Sequence, residues 1–239
     1  MLLAGGGLAA GVVNTLAGGG SLLTVPLLVL TGLPGTVANG TNRIGVLVQN
    51  GVAAWRFRQQ GVWDVARAKW EIAAVAGGAL AGALAISQVS DSAFERMFGV
   101  VMLALLVPTL RRPPQRSAPP AERPAALRSL LLFGIGLYGG AFQAGVGILL
   151  VLALSYAGYD LVRANGLKVA INFCFTLVAV PVFIAAHQVA WGPALALAAG
   201  FAAGGEVGAR LAVKGGERVI RPVLAAAVVA LAGRLLGLY

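Results

Sequence analysis

Asn39, Asn42, Arg43, Gln49 and Asn50 recur at +3, +4, +10 and +11 from the first, inside an otherwise apolar stretch. At helical pitch they form one polar stripe. Asn165, Lys168, Asn172 and Thr176 make a second stripe at +3, +7 and +11. In lipid such stripes face a bundle interior or a water-filled cavity. A single Asn or Thr there ordinarily serves as interhelical hydrogen-bond glue. Two matching stripes that each carry a cation point further, to the binding of an anion. Arg43 is about 13 Å into its helix from Pro34, and Lys168 about 12 Å from Asp160, at 1.5 Å per residue. The acids Asp64, Glu71, Asp91, Glu95, Glu122, Asp160, Glu206 and Glu217 all fall in loops or near predicted segment ends. A buried cation with no deep carboxylate needs another partner, and a transported anion would serve.

Each stripe follows a glycine-broken apolar segment. The first contains Gly18, Gly19, Gly20 and Ser21, the second Gln143, Ala144, Gly145, Val146 and Gly147. Ala144 follows Gly18, and Ala164 follows Ala38, by the same 126 positions (144 − 18, 164 − 38). The later parts correspond too: Gly77-Gly78 and Gly82 match Gly204-Gly205 and Gly208. Half-helices starting after Gly20 and Gly147 would turn free N–H groups and positive dipole ends toward an anion. Ser21 and Thr24 would add hydroxyls and Gln143 an amide. Gly18-Gly19-Gly20-Ser21 is not a nucleotide loop, since it has neither the P-loop lysine nor a strand–helix context.

The chain has 239 residues, 59% hydrophobic and 11% charged. A soluble domain carries about a quarter charged residues, so this composition predicts an all-α integral membrane protein. The net charge of +10 would suggest nucleic acid in a soluble protein. Here the basic residues cluster in short loops, which positive-inside topology explains, and nucleic acid is not an expected partner. The expected partners are a small anion and the lipid bilayer. The lone Cys174 excludes an intrachain disulfide and reads as a packed thiol. The only histidine, His187, reads as solvated, and no metal cluster, cofactor motif or nucleophile–base pair is visible, so an enzyme is not expected. Met1 runs into Leu2-Leu3-Ala4 without a basic n-region, so no cleavable signal peptide is expected.

Eight apolar segments are expected, at about 2–31 with a break near 17–21, 34–55, 67–87, 93–110, 127–155 with a break near 139–147, 160–185, 190–212 and 217–238. They divide into a first repeat (1–110), a Pro/Arg-rich linker (111–126) and a second repeat (127–239). The broken segments are about 45 Å long if each is one helix, more than a ~30 Å hydrocarbon core requires. Two half-helices in a re-entrant hairpin fit better. With returning hairpins, most Lys and Arg outside the stripes fall on the linker side, and only Arg96 and Arg234 on the other. Eight full spans would move Arg163, Arg210, Lys214, Arg218 and Arg221 to the wrong side. The charge bias therefore favours three crossings per half, inverted repeats, a cytoplasmic linker and both termini outside.

At these positions the chain resembles the sulfite exporter TauE/SafE family, over nearly its whole length. The first signature resembles Gly18-Gly19-Gly20-Ser21 with Pro26, then Ala38-Asn39-Gly40-Thr41-Asn42. The second resembles Tyr138-Gly139-Gly140 with Gly145, then Arg163-Ala164-Asn165-Gly166-Leu167-Lys168; Gly208-Ala209-Arg210-Leu211 resembles the end. One departure is that Val146 interrupts the second glycine run and Gln143 precedes it. The resemblance implies a multi-pass permease of the bacterial inner membrane that moves sulfite, organosulfonates or related sulfur anions, often outward. The expected anion site comprises Gly19, Gly20, Ser21, Asn39, Thr41, Asn42, Arg43, Gln143, Gly145, Gly147, Asn165, Lys168 and Asn172. An anion channel and a non-transporting membrane scaffold are the alternatives.

The topology is checked by cysteine labelling in a Cys174→Ala background. A cysteine at position 239 should react with an impermeant reagent on intact cells. One at position 117, in the linker, should react only after the membrane is opened; labelling of 117 from outside would refute the arrangement.

Overall fold

An apolar helix breaks where its sequence admits a left-handed residue. The computed structural model describes residues 2–59, 69–110, 125–156, 159 and 161–212. Helix α1 (Leu2–Ala17) ends as Gly18 turns to φ +77, with the Gly18 amide donating to Asn14 O. Helix α2 (Ser21–Leu30) starts three residues later and ends in a Schellman motif. Gly32 (φ +94) donates to Val29 O and Leu33 to Leu28 O, which satisfies carbonyls that the helix end leaves free. Pro34 follows, and helix α3 (Gly35–Gln59) begins. Asp91 caps α3 from outside its own segment, accepting from the Thr36 amide at 3.0 Å and hydroxyl at 2.6 Å.

Helices α4 (Lys69–Ile86) and α5 (Asp91–Leu110) complete the first half. The second half repeats the order with α6 (Ala125–Phe142), α7 (Val146–Tyr156), α8 (Leu161–Ala185) and α9 (Trp191–Ala212). The break between α6 and α7 uses two left-handed residues, Gln143 (φ 60) and Gly145 (φ 64). Helix α8 ends in another Schellman motif, with exposed His187 left-handed (φ 56) and donating to Ile184 O, and Gln188 to Phe183 O. The described residues are thus nine helices with no strand, as an all-α membrane protein requires. Both long predicted segments are pairs of short helices. Residues 111–124 of the expected linker 111–126, the segment 217–238, and Asp64, Glu122, Asp160 and Glu217 lie outside the described residues, and the last two linker positions are the start of α6.

Among the described residues two helices, Lys69–Ile86 and Arg163–Ala185, are long and apolar enough to cross a membrane by length and composition alone. Large apolar side chains such as Leu84, Val100, Leu130 and Leu195 are exposed, while Asn42, Arg43 and Lys168 are buried. A water-soluble domain sorts them the other way.

The helices interlock across the halves. The broken α1 packs along α9, and the broken α6 along α4; α3 contacts α9 as α8 contacts α4, and α3 crosses α8. Exchanging the halves maps this pattern onto itself. Small residues permit the approach, as they do in helix pairs within lipid. The Cα atoms of Gly78 and Gly82 lie against the α6 backbone at Phe133 and Leu137, and Gly136 and Gly140 against Val75 and Ala79. In the other half Gly200 and Gly204 meet the α1 backbone at Ala4 and Leu8. Three apolar clusters fill the remaining space, the largest around Phe94, Phe98, Phe183 and Phe201.

The packing separates two glycines of α6. A Cβ on Gly140 would run into the Ala79 backbone, whereas Gly134 has nothing within 4 Å. Gly140→Ala should lower the detergent melting temperature clearly. Gly134→Ala should leave it unchanged or raise it, by the order of 0.5–1 kcal/mol that Ala gains over Gly inside a helix. Equal melting shifts would mean the α4–α6 approach is looser than described.

Candidate functional site

The first break is closed by polar side chains at the end of α1. Asn14 accepts from the Gly20 amide at 3.3 Å and donates to Gln49 Oε1 at 2.8 Å. Gln49 donates to Thr15 Oγ1 at 2.8 Å. On the far side of the break, Asn42 donates to Ser21 Oγ at 2.9 Å and accepts from Thr24 Oγ1 at 2.5 Å. All of these side chains are buried. The α3 stripe therefore bonds the two half-helices α1 and α2 of its own half.

The second break is held by the same helix α3 from the opposite half. Fully buried Arg43 donates through Nη1 to Gly139 O at 3.2 Å and Gln143 Oε1 at 3.0 Å, and through Nη2 to Gly140 O at 2.6 Å. Asn39 donates to Ala141 O at 2.8 Å. Three consecutive carbonyls at the C-terminus of α6 are thus capped from α3. The Phe183 ring lies 4.4 Å from the guanidinium carbon. Lys168 does the reciprocal work. It is buried on α8 and donates to Thr15 O at the end of α1 (3.2 Å) and to half-buried Asn165 (2.8 Å). A cation at a helix C-terminus meets the negative end of the dipole and contributes about 0.3–2 kcal/mol, depending on burial. The cations that lack deep carboxylates therefore have backbone carbonyls as partners.

The two breaks meet. A Cβ on Gly18 would stand 2.6 Å from the Gly147 carbonyl carbon, and one on Gly147 would stand 3.3 Å from Lys168 Cδ. Gly145 is hemmed by Leu105, with a Cβ–Cδ1 distance of 2.5 Å. Gly19 and Gly20 are buried, and their carbonyls accept from Leu22 and Leu23 in the first turn of α2. From Gln143 a polar chain runs on: Nε2 donates to Asn172 Oδ1 at 3.0 Å, and Asn172 donates to Asn50 Oδ1 at 3.5 Å. Among the described residues the buried polar side chains include two cations and no Asp or Glu.

Of the expected site residues, Thr41 alone is drawn away from the breaks by its bonding. Its hydroxyl accepts from the Ala190 amide at 2.9 Å, and neighbouring Gly40 lies against Gln188 O. Both seat the α8–α9 connection on α3. Asn14 and Thr15 join the same buried network, although neither was among the expected site residues. Their signal was a polar pair in an apolar helix just before its break. Gln49, Asn50 and Thr176 were in the stripes but not among the expected site residues.

Broken helices meeting inside a helical bundle, lined by amides, hydroxyls and cations, are the arrangement that repeat-built membrane permeases use. The profile of the family described as sulfite exporter TauE/SafE matches residues 3–235, and the chain belongs to this family. A probable membrane transporter protein, ORF9, of Sinorhizobium sp is 28% identical over 95% of this chain and 88% of its own length. A probable membrane transporter protein of Haemophilus influenzae is 28% identical, covering 91% and 87%, and YfcA of Escherichia coli K12, also a probable membrane transporter, is 25% identical over 95% and 86%. No solved structure matches the chain.

Removing Arg43 takes the guanidinium from Gly140 O, while Gly139 O keeps the Gln143 amide at 2.9 Å. Arg43→Leu should cost stability of about 1–3 kcal/mol, the scale of leaving a buried polar group unpaired. Arg43→Lys should recover part of it. Melting of detergent-purified protein is the measurement; equal stability of Arg43→Leu and the parent would mean water or another group already satisfies the α6 end.

Proposed function

We propose that this permease exports sulfite, small organosulfonates or related sulfur-containing anions by alternating access, and that the anion sits where the two breaks meet. The observation that carries the reading is the charge of that interior: Arg43 and Lys168 buried, with no buried carboxylate among the described residues. The N-termini of α2 and α7 add positive dipole ends on the same side of each break. Ser21, Asn42, Asn39, Asn165, Gln143 and Asn172 supply the remaining hydrogen bonds. Charge-assisted bonds to a sulfonate or sulfite oxygen are stronger than neutral ones. The exchange symmetry of the helix contacts supports two equivalent repeats with the site between them, and the charge bias of the loops favours their being inverted. On this reading the protein is a multi-pass inner-membrane permease with both termini outside.

The reading also links binding to motion. Lys168 bonds to Thr15 O, so an anion at Lys168 competes with, or is added to, a contact that holds α1 in place. Binding therefore acts on the packing of a helix that moves with its half, as a ligand must if it is to bias two conformations.

Calorimetry of the purified protein against sulfite, sulfoacetate, taurine, thiosulfate and sulfate tests the proposal. Lys168→Gln should weaken the best anion by about 1.5–3 kcal/mol, the scale of a hydrogen bond to a charged group, or about 10- to 100-fold. Unchanged affinity in a folded variant would place the site elsewhere. Flux without saturation or counterflow would make the protein a channel, and no anion-dependent stabilisation a scaffold.

A further inference from the structure

Two fully buried polar atoms on α3 have no hydrogen-bond partner among the described residues: Asn39 Oδ1 and Arg43 Nε. The two residues are four apart on one helix, so their side chains are neighbours on one face. Both side chains reach the same place. Asn39 caps Ala141 O and Arg43 caps Gly139 O and Gly140 O, so the two unpartnered atoms flank the C-terminus of α6. The amide orientation of Asn39 follows from its partner. The group facing Ala141 O must be the donor, so the unpartnered atom is the acceptor oxygen. Arg43 Nε is an N–H that can only donate, and Asn39 Oδ1 is a carbonyl oxygen that can only accept.

We propose that Asn39 Oδ1 and Arg43 Nε together hold one protic oxygen, which accepts from the guanidinium and donates to the amide. A fully deprotonated oxyanion oxygen satisfies Arg43 but sets acceptor against acceptor at Asn39. An apolar group satisfies neither. Two sources supply the required chemistry: a water retained in the protein, or the hydroxyl of a bound anion. In the second form the inference rests on the anion-transport reading and deepens it, because Asn39 then selects anions that carry a hydroxyl. In the first form it stands without that reading, as a polar site with the partners a buried water needs.

The test is a pair of wild-type structures by electron microscopy, at a resolution that shows ordered water, one without anion and one with 2-hydroxyethanesulfonate. An oxygen bridging the two atoms in both maps identifies a retained water. An oxygen present only with 2-hydroxyethanesulfonate, continuous with it, identifies the anion's hydroxyl. In that case Asn39→Leu should weaken 2-hydroxyethanesulfonate about tenfold more than it weakens ethanesulfonate, one hydrogen bond being on the scale of a tenfold change. Arg43→Lys, which keeps the charge and removes Nε, should lose the bridging oxygen from either source. Both side chains ordered in both maps with no oxygen between them would overturn the proposal. A protein that binds no anion fails the transport reading, while the anion-free map still decides this one.

Discussion

The structure depends on satisfying backbone groups at helix ends that lie inside the bundle. A break in a helix frees amides on one side and carbonyls on the other, and without water each costs free energy unless a partner is supplied. Here the partners come largely from other helices. Arg43 and Asn39 on α3 take the last carbonyls of α6, and Lys168 on α8 takes Thr15 O at the end of α1. Neither break is complete within its own half. The contact of α3 with α8, the docking of each broken helix and the burial of two cations all serve that one requirement.

Close backbone approach serves the same end. Gly18 and Gly147 let the breaks touch, and Gly78, Gly82, Gly200 and Gly204 let α4 and α9 lie directly on α6 and α1. A helix pair held this close transmits displacement with little slack, because its contacts are backbone against backbone. The broken helices are therefore fixed at two places. Their flanks are held by the opposite half's glycine face, and their ends by its cation.

At the α3 and α9 ends a different charge arrangement appears. Arg56 pairs with Glu206 through two bonds, and Arg210 joins the same carboxylate from one turn away. These partly exposed pairs contribute little stability, as exposed ion pairs generally do. The contrast shows that the protein has carboxylates for its cations near helix ends. At Arg43 and Lys168 carbonyls take that place, and the interior keeps its positive charge.

Much of this was legible in the sequence because it rests on local rules. Apolar runs, glycine positions and the 126-residue correspondence located both breaks, and the stripe spacing placed Asn39, Asn42, Arg43, Lys168 and Asn172 on inward faces. The family resemblance was carried by the same residues. The partners were not legible. Sequence spacing orders residues along one helix, whereas Arg43 meets Gly139 and Gly140 nearly a hundred positions away, across the two halves. The absence of a deep carboxylate suggested that the cations need another partner, for which a transported anion would serve. Carbonyl oxygens, which every residue carries and no sequence pattern marks, had taken that role. Thr41 was expected in the site with its neighbours in the motif, and the fold brings the α8–α9 connection onto its hydroxyl. Residue type and periodicity determined which groups are buried; tertiary packing alone decided which backbone atoms they meet.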